Sequence, residues 1–523
     1  MKNSKSYISY YKCLNRNFLL IFSVIFLLFA SCKTSKISEV KSNETVTIKL
    51  VQMNDVYEIA PLSGGQYGGL ARVAYVTDSI RNANPNTYLV MAGDFLNPSL
   101  IGTLKVDGKR VKGKQMIDVM NVMGVDLATF GNHEFDLKEN ELQERLNESE
   151  FQWTSANVFQ KNGDDIRTFN TVKNLDSTPI PETVFYDINI GKEYPVRLGF
   201  FSVTIDSNPM DYVYYSDFML EGKSAYTALE QSKSDIIIGL THLSIKQDMQ
   251  LAESLPNIDL VLGGHEHTAM LVPTSHAKVA KADANARTIY VHTLTYNHKA
   301  DFLKIDSELV PITANTPELP KVKVVVDKWG SILEAELKNV IDNPNEIVYF
   351  AKKPLNGLDK PNRSEQTNLG KIITEGMAKS FNLPVDAAIV NGGSIRLDDV
   401  LENEISAIDV FRVLPFGGNV QRVEITGELL MQVLDYGEKS VGTGAYLHRY
   451  KLQNKNGVWY LGAKPLINDK IYTLALSDYL LKGLDIPILS ADSPGVKSIY
   501  VPVREEAAHD IRKAVIDFMK TLK

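Results

Sequence analysis

From Thr45 onward, short apolar runs alternate with amphipathic stretches. The runs TVTIKLVQM, TYLVMAG, VDLATFG, SDIIIGL and NIDLVLGG are mostly rich in β-branched residues. Each ends in a glycine or polar cluster, which predicts buried strands. Between them, LARVAYVTDSIRN and GKQMIDVMNVMG carry apolar residues at helical spacing. Strand–helix alternation predicts an α/β fold of layered sheets and helices. The text VPITANTPELP around Pro311–Pro320 is a turn-rich break. A periodic segment, Val322–Ile341, follows and predicts a linking helix. A second unit starts near Ile347 and repeats neither the motifs nor the period of the first. The expected boundaries are 45–310, a linker over 311–345, and 346–523.

Length agrees with this division, since 523 residues exceed what one hydrophobic core serves. Composition is that of a globular protein, with 44% hydrophobic and 23% charged residues. The formal net charge is −7 and no basic tract dominates, which argues against a nucleic-acid duplex as partner. Two cysteines exclude a disulfide scaffold. Cys13 and Cys32 both lie in the first stretch, where Lys2, Lys5, Lys12 and Arg16 precede the apolar run Phe18–Ala30. A basic start, a short apolar run and small residues before a boundary form a secretory signal. The run is shorter than the ~20 residues that span a bilayer. Its ending, Phe29-Ala30-Ser31-Cys32, resembles a bacterial lipobox, with Phe29 where leucine is usual. That resemblance implies a signal over 1–32, lipidation at Cys32, and a tether over 33–44. The protein would then be membrane-anchored in the bacterial cell envelope, on the periplasmic side of a membrane or the outer-membrane surface. The competing reading is an uncleaved signal anchor.

Only nine histidines are present, and four fall in polar clusters at predicted strand ends: His133 in GNHEFD, His242 in LTHL, and His265 and His267 in GGHEH. Asp55 in QMNDVYE and Asp94 in MAGDF hold equivalent places. In open α/β sheets, ligands gather beyond the carboxyl ends of strands. Asp55, Asp94, Asn132, His242, His265 and His267 are therefore expected to converge. Oxygen and imidazole donors without thiolate suit Zn, Mn or Fe, and their number suits two ions. Gly93, Gly131, Gly263 and Gly264 flank these positions and let backbone approach closely. His276, His292, His298, His448 and His509 have no such context; His298 in TYNHK is the one of these to follow.

Taken in order, Asp55, Gly93-Asp94, Gly131-Asn132-His133-Glu134, His242 and Gly264-His265-Glu266-His267 resemble the calcineurin-like metallophosphatases. With the second unit included, the chain is similar to the bifunctional 5'-nucleotidase and UDP-sugar hydrolase family. The resemblance implies a β-sandwich with flanking helices, a helical linker and a smaller α/β substrate-binding domain. It implies one metal on Asp55, Asp94 and His267, and another on Asp94, Asn132, His242 and His265, with Asp94 bridging. His133 would face the phosphate, positioned by Asp136. The family's first motif is usually Asp-x-His, whereas Asp55 is followed by Val56 and Tyr57. Three arrangements are open there: Tyr57 as a metal ligand, Glu58 swinging in, or a water. Tyr57 could also simply pack.

In the second unit, RSEQTNLG carries Arg363, NGGSIR carries Asn391, Gly392, Gly393 and Arg396, LPFGG carries Phe416, and SDYLLKGLD carries Tyr479 and Asp485. Arginines can grip phosphate in bidentate fashion and aromatics can stack on a flat ring. By resemblance, the arginines contact a nucleotide, and Phe416 and Tyr479 sandwich its base. The family's closing Gly-Gly-Asp-Gly reads Gly483-Leu484-Asp485-Ile486 here, which predicts a bulkier backbone beside the base. Monomer and dimer are both open. The reaction implied is phosphoester hydrolysis giving nucleoside and phosphate. Cyclic 2',3'-phosphodiesters, nucleotide sugars or a sulfur ester are alternative substrates. A non-catalytic nucleotide-binding lipoprotein is the alternative of another class.

Overall fold

A computed structural model describes residues 45–189, 195–338 and 340–522. The signal, Cys32 and the tether lie outside the described residues. Among the described residues, no helix is long and apolar enough to cross a membrane.

The first unit is a sandwich of two six-stranded sheets. One contains β1 (Thr45–Met53), β2 (Thr87–Met91), β3 (Leu127–Thr129) and β4 (Gln152–Thr154), all parallel. The antiparallel strands Thr288–Asn297 and Phe302–Pro311 complete its other edge. The second sheet has β5 (Pro195–Thr204), β6 (Ile236–His242) and β7 (Leu260–Gly263) in parallel at its centre. Alternation along β1 explains the layering. Val46, Ile48 and Leu50 face Leu198, Phe200, Ile238 and Leu262 of the other sheet. Val51 and Met53 face the opposite way, against α1 (Leu70–Ala83) and α2 (Lys114–Met123).

The linking helix α3 (Pro320–Leu337) starts with proline at its first turn, where a missing N–H costs nothing. Its buried stripe Val322, Val326, Trp329, Leu333 and Leu337 has helical spacing and joins the cluster that includes α1 and α2. Trp329 Nε1 donates to Asp118 of α2 at 3.2 Å. Burying such side chains contributes ~1.5–3 kcal/mol each. The helix expected over Val322–Ile341 is thus observed as Pro320–Leu337, docked along its length on the first unit's helices.

The second unit has a five-stranded sheet containing Ala387–Asn391, Val420–Thr426 and Ile471–Ser477. One face of it packs on helices Asn368–Lys379 and Ile511–Thr521, continuous with the core that holds α3. The other face closes a separate cluster around Leu430, Trp459 and Leu474. His298 follows Asn297, which pairs with Thr45 at the far end of β1 from Asp55, so it lies away from the strand ends that carry the predicted ligands.

Candidate active site

The parallel strands of both sheets end on one edge, and the predicted ligands sit there. Asp55 follows β1, Asp94 follows β2, Asn132 follows β3, His242 ends β6, and His265 and His267 follow β7. Asp55, Asp94 and His265 adopt left-handed backbone (φ 51°, 56° and 82°), a conformation that costs non-glycine residues of order 1 kcal/mol or more each. Close approach fixes the intervening glycines. A Cβ on Gly131 would fall 2.1 Å from Asp94 Oδ1, and one on Gly264 would fall 2.3 Å from the Ala92 carbonyl.

Asp55, Asp94 and His242 are buried and offer donor atoms within 4.8 Å of one another. His242 Nε2 lies 3.1 Å from Asp94 Oδ2, and His267 Nε2 lies 3.4 Å from Asp55 Oδ1. The His265 ring stands edge-on to His242, centroids 5.5 Å apart. Asp55 Oδ1, Asn132 Oδ1 and His242 Nε2 are buried without a hydrogen-bond partner. Buried polar atoms are rarely orphaned. Two of them, Asp55 Oδ1 and His242 Nε2, stand 3.9 Å apart beside Asp94, and this oxygen and imidazole set fits a divalent cation. The remaining polar atoms are spoken for: Asp55 Oδ2 accepts from Asn54 Nδ2 (2.7 Å) and the His265 N–H (2.9 Å), and His242 Nδ1 donates to the Ala92 carbonyl at 2.8 Å.

The electrostatics make the same demand for positive charge. Burial pulls the His242 imidazole down, yet Asp94 and Asp55 hold it up at about 9. Burial alone would raise Asp55, yet His267 and His242 hold its carboxyl below the usual range. Burial and the charge of His242 push His265 down to about 4. Asp398 and Asp55 likewise outweigh burial and raise His267, so imidazole protons balance carboxylates where cations would, and loading a cation would release protons.

His133 opens a short 3-10 turn, His133–Asp136. Its Nδ1 lies 2.8 Å from Asp136 Oδ2, and its backbone N–H donates to Asp94 Oδ1 at 2.7 Å. Burial lowers the His133 pKa, but Asp94 and Asp136 outweigh it and the net shift is upward. Asp136 is itself gripped by Asn97 and Asn208 Nδ2 (2.8 Å each) and by Arg396 of the second unit at 3.2 Å.

Tyr57 lies among these groups. Its hydroxyl donates to Asp94 Oδ2 at 3.2 Å and is 3.2 Å from His267 Nε2. Burial and then Asp94 and Asp55 push its ionisation well above the ordinary tyrosine range, so it stands as a neutral phenol. Glu58 turns elsewhere: its Oε1 accepts the Leu100 N–H at 3.4 Å and it feels Arg412. Of the arrangements open from sequence, the swing of Glu58 toward the centre is thus the one the geometry disfavours.

The predicted substrate residues Arg363, Asn391, Gly393, Arg396, Phe416, Tyr479 and Asp485 all line one cavity of about 530 Å³. Tyr479 OH and Asn391 Nδ2 donate to the two oxygens of Asp485 at 2.8 and 2.7 Å. Gly392 packs under this wall, where a Cβ would strike the Asn362 carbonyl at 2.4 Å. The bulkier backbone expected beside the base does not intrude. Leu484 is 67% exposed and Ile486 is buried in the core, so both side chains leave the cavity to Asp485. A neighbouring cavity of about 470 Å³ is lined by Tyr57, Asp94, His133, His265 and His267. Arg396 borders both.

Several participants carry no signal in the sequence reading. Glu134 accepts four backbone N–H groups, from Asp94, Phe95, Leu96 and Gly131, and ties the two ligand loops together. Lys281, wholly buried, donates to the Leu243 and Gly264 carbonyls (2.6 Å each), pairs with Asp248 at 2.8 Å and contacts Glu266, bracing the loop of His265 and His267. Asp398 pairs with His267. The nearest clues are positional: Glu134 lies inside the Gly131–Glu134 motif, and Asp398 stands two residues after Arg396.

Residues 48–269 match the calcineurin-like phosphoesterase family, and residues 347–490 match the 5'-nucleotidase C-terminal domain. The chain is 27% identical over 456 residues to the trifunctional nucleotide phosphoesterase protein YfkN of Bacillus subtilis, covering 78% of this chain and 30% of that protein. It is 25% identical over 471 residues to human 5'-nucleotidase, covering 80% and 78%. Among solved structures, the fold resembles a 5'-nucleotidase precursor from Thermus thermophilus, with TM-score 0.67, 21% identity, and coverage of 91% and 97%. It also resembles the sulfate thiohydrolase SoxB of the same genus, with TM-score 0.60, 13% identity, and coverage of 91% and 94%. Enzymes described by different substrates thus share this fold.

Proposed function

We propose that this chain, a metal-dependent phosphoric ester hydrolase with a calcineurin-like phosphoesterase domain and a 5'-nucleotidase C-terminal domain, removes phosphate from nucleoside 5'-monophosphates. The observation that carries this reading is Arg396, which borders the aromatic-lined cavity and also contacts the Asp136 of the histidine dyad. A ligand with a flat ring at one end and a phosphate at the other spans those two places.

Asp55, Asp94, Asn132, His242, His265 and His267 would hold two divalent ions, of Zn, Mn or Fe character, with Asp94 between them. Bound ions would neutralise phosphate oxygens and acidify a water toward neutral pH. The chain's own groups do the rest. Phe416 and Tyr479 hold the base, and Arg363 and Arg396 orient the anionic end. His133, whose proton is favoured by the Asp136 carboxylate at 2.8 Å, donates to a phosphate oxygen or to the departing alkoxide. Water's oxygen joins phosphorus as the ester P–O bond breaks, and the alkoxide leaves as a neutral hydroxyl. Tyr57, which donates to Asp94 and lies 3.2 Å from His267 Nε2 where the family's motif has a histidine, would leave a cation held there one imidazole short and more weakly bound.

A second reading, cyclic 2',3'-phosphodiesters, keeps the same centre; the Bacillus relative is described as a trifunctional nucleotide phosphoesterase, a name that covers more than one nucleotide ester. The test is one assay. Chelated protein is reloaded with Mn, Zn, Fe or Mg and given 5'-monophosphates, cyclic phosphodiesters, nucleotide sugars and a sulfur ester. Fastest turnover of 5'-monophosphates is expected; no turnover of any phosphoester would overturn the proposal. The lipid anchor at Cys32 belongs to the same reading and is checked by the mass of the mature N-terminal peptide.

A further inference from the structure

The segment after Arg396 crosses between the two units. Arg396 contacts Asp136 at 3.2 Å. Asp398 Oδ2 is in ion-pair contact with Nδ1 of His267, and Asp399 is paired with Arg287. All three partners belong to the sandwich, and the three side chains that reach them come from four consecutive residues. Asp398 is shaped for its place. Its backbone is left-handed (φ 45°), and its second oxygen, Oδ1, accepts the Asp359 N–H at 2.7 Å. On the other side of the imidazole, His267 Nε2 faces Asp55 Oδ1 at 3.4 Å and Tyr57 OH at 3.2 Å.

A histidine that offers Nε2 to a cation carries its proton on Nδ1. A carboxylate at Nδ1 fixes that tautomer, holds the ring's direction and raises its basicity. Here the carboxylate comes from the substrate-binding unit rather than from the sandwich that bears the ligands.

We propose that Asp398 is a positioning residue for the metal centre: docking of the C-terminal unit supplies the carboxylate that orients His267, so cation affinity and domain docking are coupled. The inference rests on His267 being a ligand. Coupling of this kind is reciprocal, so a loaded centre also holds the C-terminal unit in place.

The test uses the full chain, chelated, and titrated with Mn²⁺ by calorimetry or dye competition. Asp398→Asn and Asp398→Gly both tolerate the left-handed backbone. In the first, one carbonyl oxygen cannot serve both the Asp359 N–H and His267; in the second, neither is served. Both variants are expected to bind Mn²⁺ about 10- to 100-fold more weakly, with the chelated melting temperature of each, lowered by loss of the ion pair, recorded to confirm that the protein is folded at the titration temperature. Hydrogen exchange across residues 396–399 is expected to slow on Mn²⁺ addition in the wild type and not in His267→Ala. Mn²⁺ affinity within twofold of wild type in both Asp398 variants overturns the inference. If His267→Ala alone weakens binding, the ligand reading survives and only the role of Asp398 falls. If His267→Ala also binds like wild type, both fall together.

Discussion

The strand-end centre of the sandwich and the aromatic cavity of the C-terminal unit are built on opposite principles. At the centre, Asp55, Asp94 and His242 are wholly buried, three residues hold left-handed backbone, and Glu134 alone fixes four N–H groups. In the cavity, Phe416 is 58% exposed, and one carboxylate, Asp485, ties Tyr479 to Asn391. Preorganised charge in a dry site suits a transition state, because nothing need reorganise as charge develops. A half-open cavity suits recognition, where an incoming ring supplies the missing contacts. Chemistry is fixed by rigidity at one end and selection is left adjustable at the other.

The sharpest break of that contrast is at Asp94. Asp94→Ala removes a carboxylate that faces His242, Tyr57 and the His133 N–H. The expected outcome is loss of both ions by elemental analysis and turnover at background. Two ions retained would end its central role. His133→Ala comes next. Metal content and KM should hold while kcat falls about 10²- to 10⁴-fold, the range of a general acid.

Acid stability probes both regions together. His292 in the sandwich is pushed down to about 3 by burial, and His448 in the C-terminal unit to about 4. Each is neutral when folded. His448 Nε2 contacts the Asn362 carbonyl at 2.9 Å, while Nδ1 has no partner to receive a proton's charge. The unfolded chain takes up protons below pH ~6.5 and the folded chain does not. Stability from His448 is therefore complete above pH ~6.5 and is lost as pH falls toward about 4, by roughly 3 kcal/mol. In chelated protein, the melting temperature of His448→Gln should fall less steeply over that window than the wild type's. Parallel curves would remove His448 from the account.

Phe416→Ala gives the smallest effect. Losing one stacking face costs ~0.5–1.5 kcal/mol, so KM for a 5'-monophosphate should rise about 2- to 13-fold with kcat unchanged. A fall in kcat instead would mean that the cavity also orients the reacting phosphate, and the division of labour would dissolve.

Legibility differed between the two regions for the same reason. Asp55, Asp94, Asn132, His242, His265 and His267 all stand at or just after strand ends, and strands announce themselves by alternation and closing glycines. Asp55, Asp94 and His242 needed only the rule that parallel strands end together. The braces carried no such mark: Lys281 and Asp248 look like an ordinary lysine and an ordinary helix carboxylate until both are found buried at 2.8 Å. A linking helix was legible, though read from Val322 to Ile341 where it runs Pro320–Leu337, but its docking on α1 and α2 was not, because a periodic apolar stripe does not say which surface it covers.

By itself the sequence determined where the donor-type residues stand, since residue type and strand-end position are local properties of the chain. Tertiary structure alone decided that Glu58 turns from the centre, that Leu484 and Ile486 leave the cavity open, and that Asp398 meets His267 across 131 positions. Those outcomes depend on contacts between residues far apart in the chain, and the pairing of surfaces is set by shape and charge summed over many residues rather than by any one motif.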